Sequence, residues 1–307
     1  MELKDIKKVL ILGAGTMGQQ IGFVCAMHGY DVTLYDISDD VLAASMKRME
    51  KLGASWFVAS GRISPDDLAG IMGRIKATSD PETAAANADI ISESVPENPE
   101  LKGRVFAQFN KLCPERTIFT TNTSLLMPSV FAEATGRPEK FAALHFHDVR
   151  VSNIVDVMPH PGTDPAVTQL VHDFAVSIGQ TPIMLHRENN GYVFNAMLSN
   201  LFMSALTLVT TGVATFEDVD RAWMGVVSRM PMGPFGIMDQ VGLKTVWMIT
   251  SYWANQMNDS QAKINADLLK QYVDREELGA KTRKGFYKYP GPVFSEPGFL
   301  SAGEIKK

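Results

Sequence analysis

The chain has 307 residues, of which 45% are hydrophobic and 21% charged, so it is neither disordered nor of low complexity and has room for one or two domains. The formal net charge is −5 with no sizeable basic patch, so no nucleic-acid partner is predicted. The two cysteines and six histidines show no metal-ligand spacing, so no metal is predicted. Cysteines among apolar neighbours and an N-terminus unlike a signal peptide predict a cytoplasmic protein.

The first half of the chain alternates short apolar runs with helical stretches, a pattern typical of a parallel sheet covered by helices. Helical periodicity extends from Thr16 to His28 and again over Asp39–Leu52. A third helix is predicted to begin at Pro165 and to end before Gly179. Eight strands are predicted: Val9–Gly13, Asp31–Tyr35, Arg74–Thr78, Asp89–Ser94, Thr117–Thr121, Ala142–Phe146, Ile154–Met158 and Pro182–Leu185.

After about Arg187 the sequence becomes helical in character. We therefore predict an α/β protein: a Rossmann-type, mostly parallel sheet domain over residues 1–187, followed by an all-helical C-terminal domain over residues 188–307. The stretch Asn189–Phe216 has no charged residue and is long enough to span a bilayer. Its polar side chains and the lack of a positive-inside pattern favour a buried, subunit-facing helix, so no membrane association is predicted.

The segment Gly13–Gly18 reads GxGxxG between an apolar strand and an amphipathic helix, the context in which this pattern binds a dinucleotide. The first glycine permits a tight turn, the second lets a pyrophosphate approach the backbone, and the third lets the helix pack on the strand. The helix N-terminus then faces the phosphates with its positive end. The residues predicted to bind the cofactor here are Gly13, Gly15, Thr16, Met17 and Gly18.

Asp36 ends the second predicted strand. A carboxylate at this place accepts hydrogen bonds from the adenosine ribose hydroxyls and repels a 2′-phosphate, and the residues that follow are Ile37 and Ser38 rather than arginine. The sequence therefore predicts NAD rather than NADP as the cofactor. The alternative interpretation is a glycine-rich turn followed by a helix-capping aspartate.

Seven ordered segments resemble the L-3-hydroxyacyl-CoA dehydrogenase family over nearly the whole chain. They are Gly13–Gly18, Ser94–Lys102, Thr121–Leu125, Leu144–Phe146, Gly191–Asn195, Pro231–Asp239 and Lys281–Tyr289. The ALHF and GYVFN stretches are also similar to the diketoreductase and lambda-crystallin branch of the same superfamily. The resemblance implies an NAD-dependent oxidoreductase that interconverts 3-hydroxyacyl-CoA and 3-oxoacyl-CoA, a small-molecule substrate, and a homodimer formed by the helical domain.

The resemblance implies that His145, at the end of a predicted strand, is the catalytic base. Histidine suits this role because its pKa lies near the working pH. Asp156 stands near the place of the family's glutamate, but it is one methylene shorter and lies 11 positions after His145, where the family has 12. Either a one-residue gap compensates for this difference, or the geometry of the dyad is altered.

Further residues match the family's site, each with a plainer alternative. Ser124 is implied to hydrogen-bond the substrate oxygen or the nicotinamide, and it would equally cap a helix over Leu125–Val130. Asn195 is implied to fix the substrate carbonyl, the alternative being a structural amide. The resemblance places three charged residues at the cofactor, with solvated surface charges as the alternative: Glu97, Lys102 and Lys281.

The match weakens in two places. The family pattern HFFNP reads HFHDV here, so His147 is either a second titrating group or a strand-edge residue, and Asp148 replaces an asparagine. In the basic arm after the second strand, Leu52 and Ala59 align with the family's serine and lysine, although three cations remain for phosphate contacts: Lys47, Arg48 and Lys51. The alternatives are therefore a dehydrogenase or reductase of a non-CoA 3-hydroxy acid or diketone, and an NAD-binding, crystallin-like protein without activity.

Overall fold

The computed structural model describes residues 1–227, 230–296 and 299. Contacts divide the chain into two compact units, Met1–Asn195 and Ala196–Lys307. The first unit extends past the predicted boundary at residue 187 because the segment after it packs on the sheet. In that segment the Asn189 N–H lies 3.2 Å from the Met158 sulfur, and the Tyr192 ring stacks on His145.

The first unit, which is described throughout, is built on an eight-stranded sheet, and each predicted strand is present. The strand order is β3-β2-β1-β4-β5-β6-β7-β8, with β6 and β7 antiparallel and the other neighbours parallel. The strands are β1 Lys8–Leu12, β2 Asp31–Tyr35, β3 Ile75–Thr78, β4 Ile90–Glu93, β5 Ile118–Thr121, β6 Phe141–Phe146, β7 Ile154–Pro159 and β8 Thr181–Met184.

Apart from the helix that begins at Thr16 after Gly15, the helices of this unit begin where a side chain caps a free N–H group. Ser38 accepts from the N–H of Val41, and Asn98 accepts from the N–H of Leu101. Proline occupies the start of four helices, where its missing N–H costs nothing. The helices are α1 Thr16–Met27, α2 Asp39–Leu52, α3 Pro65–Gly73, α4 Pro81–Ala85, α5 Pro99–Leu112 and α6 Pro165–Ser177.

Strand β1 is apolar from Val9 to Leu12 because helices cover both faces of the parallel sheet. Val9 and Ile11 belong to the core on one face, and Leu10 and Leu12 belong to the core on the other. This alternation follows from successive side chains pointing to opposite faces of a strand. The prediction that both cysteines are reduced core thiols is confirmed, and burial raises the pKa of each to about 12.

The second unit is helical, as predicted, with two isolated β-bridges near residues 279–288. Along the first helix, Phe202 and Leu206 are buried whereas Met197 and Leu208 are exposed, so one face rather than the whole helix is covered. None of the helices in the described part of the chain combines the length and hydropathy of a membrane span. The helices are α7 Phe194–Thr210, α8 Phe216–Val226, α9 Pro234–Val241, α10 Leu243–Gln256 and α11 Ser260–Asp274.

Two buried aspartates connect separate segments of the second unit through hydrogen bonds. Each accepts two backbone N–H bonds and one tyrosine hydroxyl, from Tyr287 for Asp220 and from Tyr289 for Asp239. Burial raises the pKa of both carboxyls. These bonds give the segments Pro231–Asp239 and Lys281–Tyr289, two of the segments that carry the family resemblance, a structural role.

Candidate active site

The loop between β1 and α1 has the geometry of a phosphate cradle. Gly13 has φ +100°, and a side chain there would place its Cβ 2.7 Å from the carbonyl oxygen of Ser94. A Cβ on Gly18 would overlap the carbonyl oxygen of Gly13, so glycine lets α1 approach the loop. At Gly15, the N-cap of α1, no heavy atom of the described residues other than its chain neighbours lies within 4 Å of the Cβ position. The backbone there is open to a ligand, which fits the pyrophosphate of a dinucleotide.

The first turn of α1 carries the other two predicted loop contacts. Thr16 is exposed and Met17 is half-buried, so both lie at the open end of the loop. Asp36 follows β2 directly rather than ending it. Its carboxylate accepts the N–H of Ala14 at 2.9 Å and the N–H of Ile37 at 2.8 Å. Because an ionised carboxylate has about four acceptor positions, acceptor capacity remains for ribose hydroxyls.

His145 and Asp156 form a buried hydrogen-bonded dyad. They are directly opposite each other in the antiparallel register of β6 and β7, where paired side chains lie on one face. His145 Nδ1 lies 3.0 Å from Asp156 Oδ2, and the side chains are 5% and 1% exposed. The spacing of 11 positions therefore still brings the two side chains into hydrogen-bond contact. The catalytic role of the pair stays a prediction.

The environment of the dyad sets its charge state. Burial lowers the pKa of His145, and the hydrogen bond to Asp156 only partly offsets that effect. For Asp156, burial acts to raise the pKa, but the nearby His145 and His147 outweigh it and leave the pKa below its ordinary value. A neutral imidazole facing a carboxylate carries its hydrogen on Nδ1, because an ionised carboxylate only accepts. The lone pair is then on Nε2, as a general base requires.

Three aromatic rings surround the dyad. The Tyr192 ring stacks on His145 with centroids 4.8 Å apart, and it reaches that place through a backbone φ of 54°. His147 meets His145 edge to face at 4.8 Å and Phe194 at 5.4 Å. Sequence reasoning assigned no role to Tyr192. Its place depends on the left-handed backbone after Gly191, which no periodicity reveals.

The turn after β5 presents Ser124 on the surface, and a neighbour takes the capping role. The Thr123 hydroxyl accepts the N–H groups of Leu125 and Leu126 at 3.4 and 3.0 Å. The predicted helix over 125–130 is wrong, since only a single 3₁₀ turn, Pro128–Val130, forms there. Asn195 is the second residue of α7 and is half-buried. The substrate contacts of Ser124 and Asn195 stay predictions.

Lys102 is buried, so the alternative of a solvated surface charge is wrong for this residue. It is 1% exposed, and its ammonium donates to Glu93 at 2.7 Å and to the carbonyl of Val95 at 3.2 Å. It also lies 3.2 Å from a carboxylate oxygen of Glu97, which in turn accepts the Thr123 hydroxyl. These partners match the three hydrogens of the ammonium, so the geometry favours Lys102 holding Glu97 in place.

Glu93 was missed by sequence reasoning. Its carboxylate is fully buried and accepts the Lys102 ammonium, the Thr121 hydroxyl and the N–H of Val95. The signal available in the sequence was an acidic residue at the end of an apolar strand. That strand lies beside the strand that leads into the glycine loop. Lys281 is exposed in the second unit, and its predicted cofactor contact stays a prediction.

The arm formed by α2 and the π-helical turn Gly53–Val58 is hydrogen-bonded to the loop after β6. Trp56 Nε1 donates to the Arg150 carbonyl at 3.0 Å, and Arg62 donates to the Val149 carbonyl at 3.3 Å. Asp148 pairs with Arg150 rather than standing as a free charge.

A cavity of about 230 Å³ lies beside the arm, lined by Thr16, Gln19, Gln20, Arg48, Lys51, Leu52, Ser55 and Arg150.

Comparison with known proteins relates both parts of the chain to one family. Residues 8–189 match the 3-hydroxyacyl-CoA dehydrogenase NAD-binding domain, and residues 191–289 match the 3-hydroxyacyl-CoA dehydrogenase C-terminal domain. The chain is 32% identical to the mitochondrial hydroxyacyl-coenzyme A dehydrogenase of Homo sapiens, covering 92% of this chain and 91% of that protein. It is 31% identical to a probable 3-hydroxybutyryl-CoA dehydrogenase of Bacillus subtilis, covering 93% and 98%. A solved diketoreductase, which acts on dicarbonyl compounds, is 40% identical, with a TM-score of 0.84 over 92% of this chain and 99% of its own.

Proposed function

Because this chain belongs to the 3-hydroxyacyl-CoA dehydrogenase family, we propose that it interconverts a 3-hydroxyacyl-CoA and a 3-oxoacyl-CoA with His145 as the general base. As a member of this family the chain is an NAD-dependent oxidoreductase, which argues against the alternative of a protein without activity. Bound NAD supplies the hydride acceptor for oxidation, and NADH supplies the donor for reduction. The observation that carries the proposal is the buried 3.0 Å hydrogen bond between His145 and Asp156.

Each site residue then has a definite task in the oxidation of the alcohol. His145 Nε2 accepts the proton of the substrate hydroxyl, and Asp156 stabilises the imidazolium that forms. Ser124 and Asn195 hydrogen-bond the substrate oxygens. The open backbone at Gly15 would hold the pyrophosphate, and Asp36 would accept the ribose hydroxyls.

The cavity beside the arm supports a substrate with an anionic handle. Arg48, Lys51 and Arg150 bring three positive side chains to its lining, although Arg150 is already paired with Asp148. Guanidinium and ammonium groups bind phosphate through charge-assisted hydrogen bonds. These cations would replace the serine and lysine that the family has in this arm, and the phosphates of a CoA thioester fit their chemistry.

A second candidate function is the reduction of a dicarbonyl compound that carries no CoA. The 40% identity to the diketoreductase favours it, since that value exceeds the 32% identity to the human hydroxyacyl-coenzyme A dehydrogenase. The hydride chemistry and the role of His145 are the same in both candidates. The difference lies in whether the arm binds phosphates.

The test compares NADH oxidation with acetoacetyl-CoA, with free acetoacetate and with a 3,5-dioxo ester, and repeats each assay with NADPH. We expect turnover of the thioester with NADH, and a KM raised at least about tenfold in Lys51→Met, which is a loss of about 1.4 kcal/mol. Lys47→Met, outside the cavity lining, is the matched control. Turnover of the ester alone, with no effect of Lys51→Met, would select the dicarbonyl candidate.

The assembly is also a proposal, namely a homodimer formed through the second unit. Met248 and Tyr252 lie one turn apart on α10 and are 57% and 50% exposed, and Met257 just after it is 72% exposed. Exposed apolar side chains grouped on one helix are typical of a protein interface. Sedimentation equilibrium should give twice the chain mass of 33.7 kDa, and a monomer would contradict the proposal.

A further inference from the structure

Three side chains that bind metals meet on the β6–β7 pair. His145 and His147 are two positions apart, so on extended backbone their side chains leave the chain on the same side. Asp156 stands opposite His145 on the neighbouring strand. One ligand atom from each of the three residues lies within 4.8 Å of those of the other two. Strand β6, the residue that follows its end and strand β7 therefore bring two nitrogens and one oxygen close together.

Two of the three distances between the ligand atoms are close to those around a small divalent cation. Asp156 Oδ2 lies 3.0 Å from His145 Nδ1 and 3.6 Å from His147 Nε2. In a tetrahedral zinc site with bonds of about 2.0–2.1 Å, ligand atoms are roughly 3.3 Å apart, a value between these two. Imidazole nitrogens with a carboxylate oxygen suit Zn²⁺, and a site with three protein ligands leaves a fourth position for water.

His147 supplies an independent observation. Its Nε2 atom is buried and has no hydrogen-bond partner among the described residues, and Asp156 at 3.6 Å is beyond ordinary hydrogen-bond distance. A buried polar atom without a partner is unusual in a folded protein. The family pattern has phenylalanine at this place, so the second imidazole distinguishes this chain from the pattern it otherwise follows.

We propose that His145, His147 and Asp156 bind a divalent transition metal of the Zn²⁺ type, and that the bound metal blocks the base. The effect on rate rests on the proposed function, whereas the binding itself does not. With a neutral His145, the ring hydrogen is on Nδ1 and faces Asp156. Coordination through Nδ1 moves that hydrogen to Nε2, without loss of a proton from the ring. Nε2 then has no lone pair for the proton of the substrate hydroxyl, so oxidation stops.

Binding is measured first, without substrate. Metal-free protein is titrated with ZnCl₂ by calorimetry, and Co²⁺ is added in parallel because its visible absorption reports coordination. Wild type should take up one ion per chain, and His147→Phe should weaken binding at least about a hundredfold, since loss of an outer-shell partner alone costs up to about that much. The matched control is His172→Phe. It disrupts a partly buried histidine–carboxylate pair, with His172 Nδ1 2.9 Å from Asp173, that lies outside the three-residue cluster.

Inhibition is measured second, with each variant compared with its own metal-free rate. Zn²⁺ should inhibit wild type and His172→Phe, EDTA should reverse the inhibition, and His147→Phe should lose it at the same metal concentration. If His147→Phe binds NADH, the first unit of this variant is folded. If it does not bind NADH, the test is repeated with His147→Gln. Absence of Zn²⁺ binding by wild type, or equal binding by His147→Phe, would overturn the proposal. If no 3-oxo compound is turned over, the proposed function fails, while the calorimetry still decides the metal site.

Discussion

Replacing Asp156 with asparagine tests how the carboxylate supports the base. The amide keeps the shape of the side chain but loses the charge that faces His145 at 3.0 Å. A charge-assisted hydrogen bond contributes about 1.5–3 kcal/mol and a neutral one about 0.5–1.5 kcal/mol, so the imidazolium loses about 1–2 kcal/mol. Because about 1.4 kcal/mol is tenfold in rate, kcat for alcohol oxidation should fall about 5- to 30-fold.

The assay is steady-state NADH formation, with NADH affinity measured separately by fluorescence. Asp156→Asn should leave that affinity within about twofold, because the loop Gly13–Gly18 and Asp36 are untouched. Asp173→Asn is the control, since it removes the same charge from the partly exposed pair with His172 and should leave kcat unchanged. A kcat within twofold of wild type for Asp156→Asn would refute the reasoning.

Three further predictions follow from the same structure. Gly15→Ala should fold normally because its Cβ position is open, but it should bind NADH at least about tenfold more weakly. Fluorescence titration measures this affinity, and Gly70→Ala, at an equally open position on α3, is the control. Lys102→Met should lower stability by about 3–5 kcal/mol in chemical denaturation, because its buried glutamate partner loses its counter-charge, whereas exposed Lys111→Met on the same helix should not. Burial lowers the pKa of His145, so the neutral base is lost only when the pH falls through that lowered value. In a pH profile of the oxidation rate, the acidic limb should therefore lie below about pH 6.5, and a limb above that pH would contradict the assignment.

The fold could be predicted because its signals are local. Continuous apolar runs such as Val9–Leu12 are what a sheet covered on both faces requires, and Asp164-Pro165 and Ser38 mark helix starts by their capping chemistry. The end of the first unit was less visible. The segment after residue 187 remains with the sheet because Tyr192 packs on His145, a contact that no periodicity predicts.

The candidate site could be predicted only in part, since most of its geometry depends on register. His145 and Asp156 could be chosen from the sequence, but only the antiparallel pairing shows that their side chains are in hydrogen-bond contact. The cluster proposed to bind a metal escaped notice because it joins His145 of β6 and His147 just after it to Asp156 of the next strand. Lys102 was open to two interpretations because the burial of its ion pair with Glu93 leaves no pattern in the sequence.

The most direct test of the central claim is single-turnover reduction of acetoacetyl-CoA by NADH-loaded His145→Ala. If the dicarbonyl candidate holds instead, the 3,5-dioxo ester replaces the thioester. General acid–base catalysis contributes about 10²–10⁴-fold, so the rate of the hydride step should fall by that factor. The NADH dissociation constant should stay within about twofold of wild type. A variant that binds NADH normally and turns over within tenfold of wild type would contradict the assignment of His145 as the catalytic base.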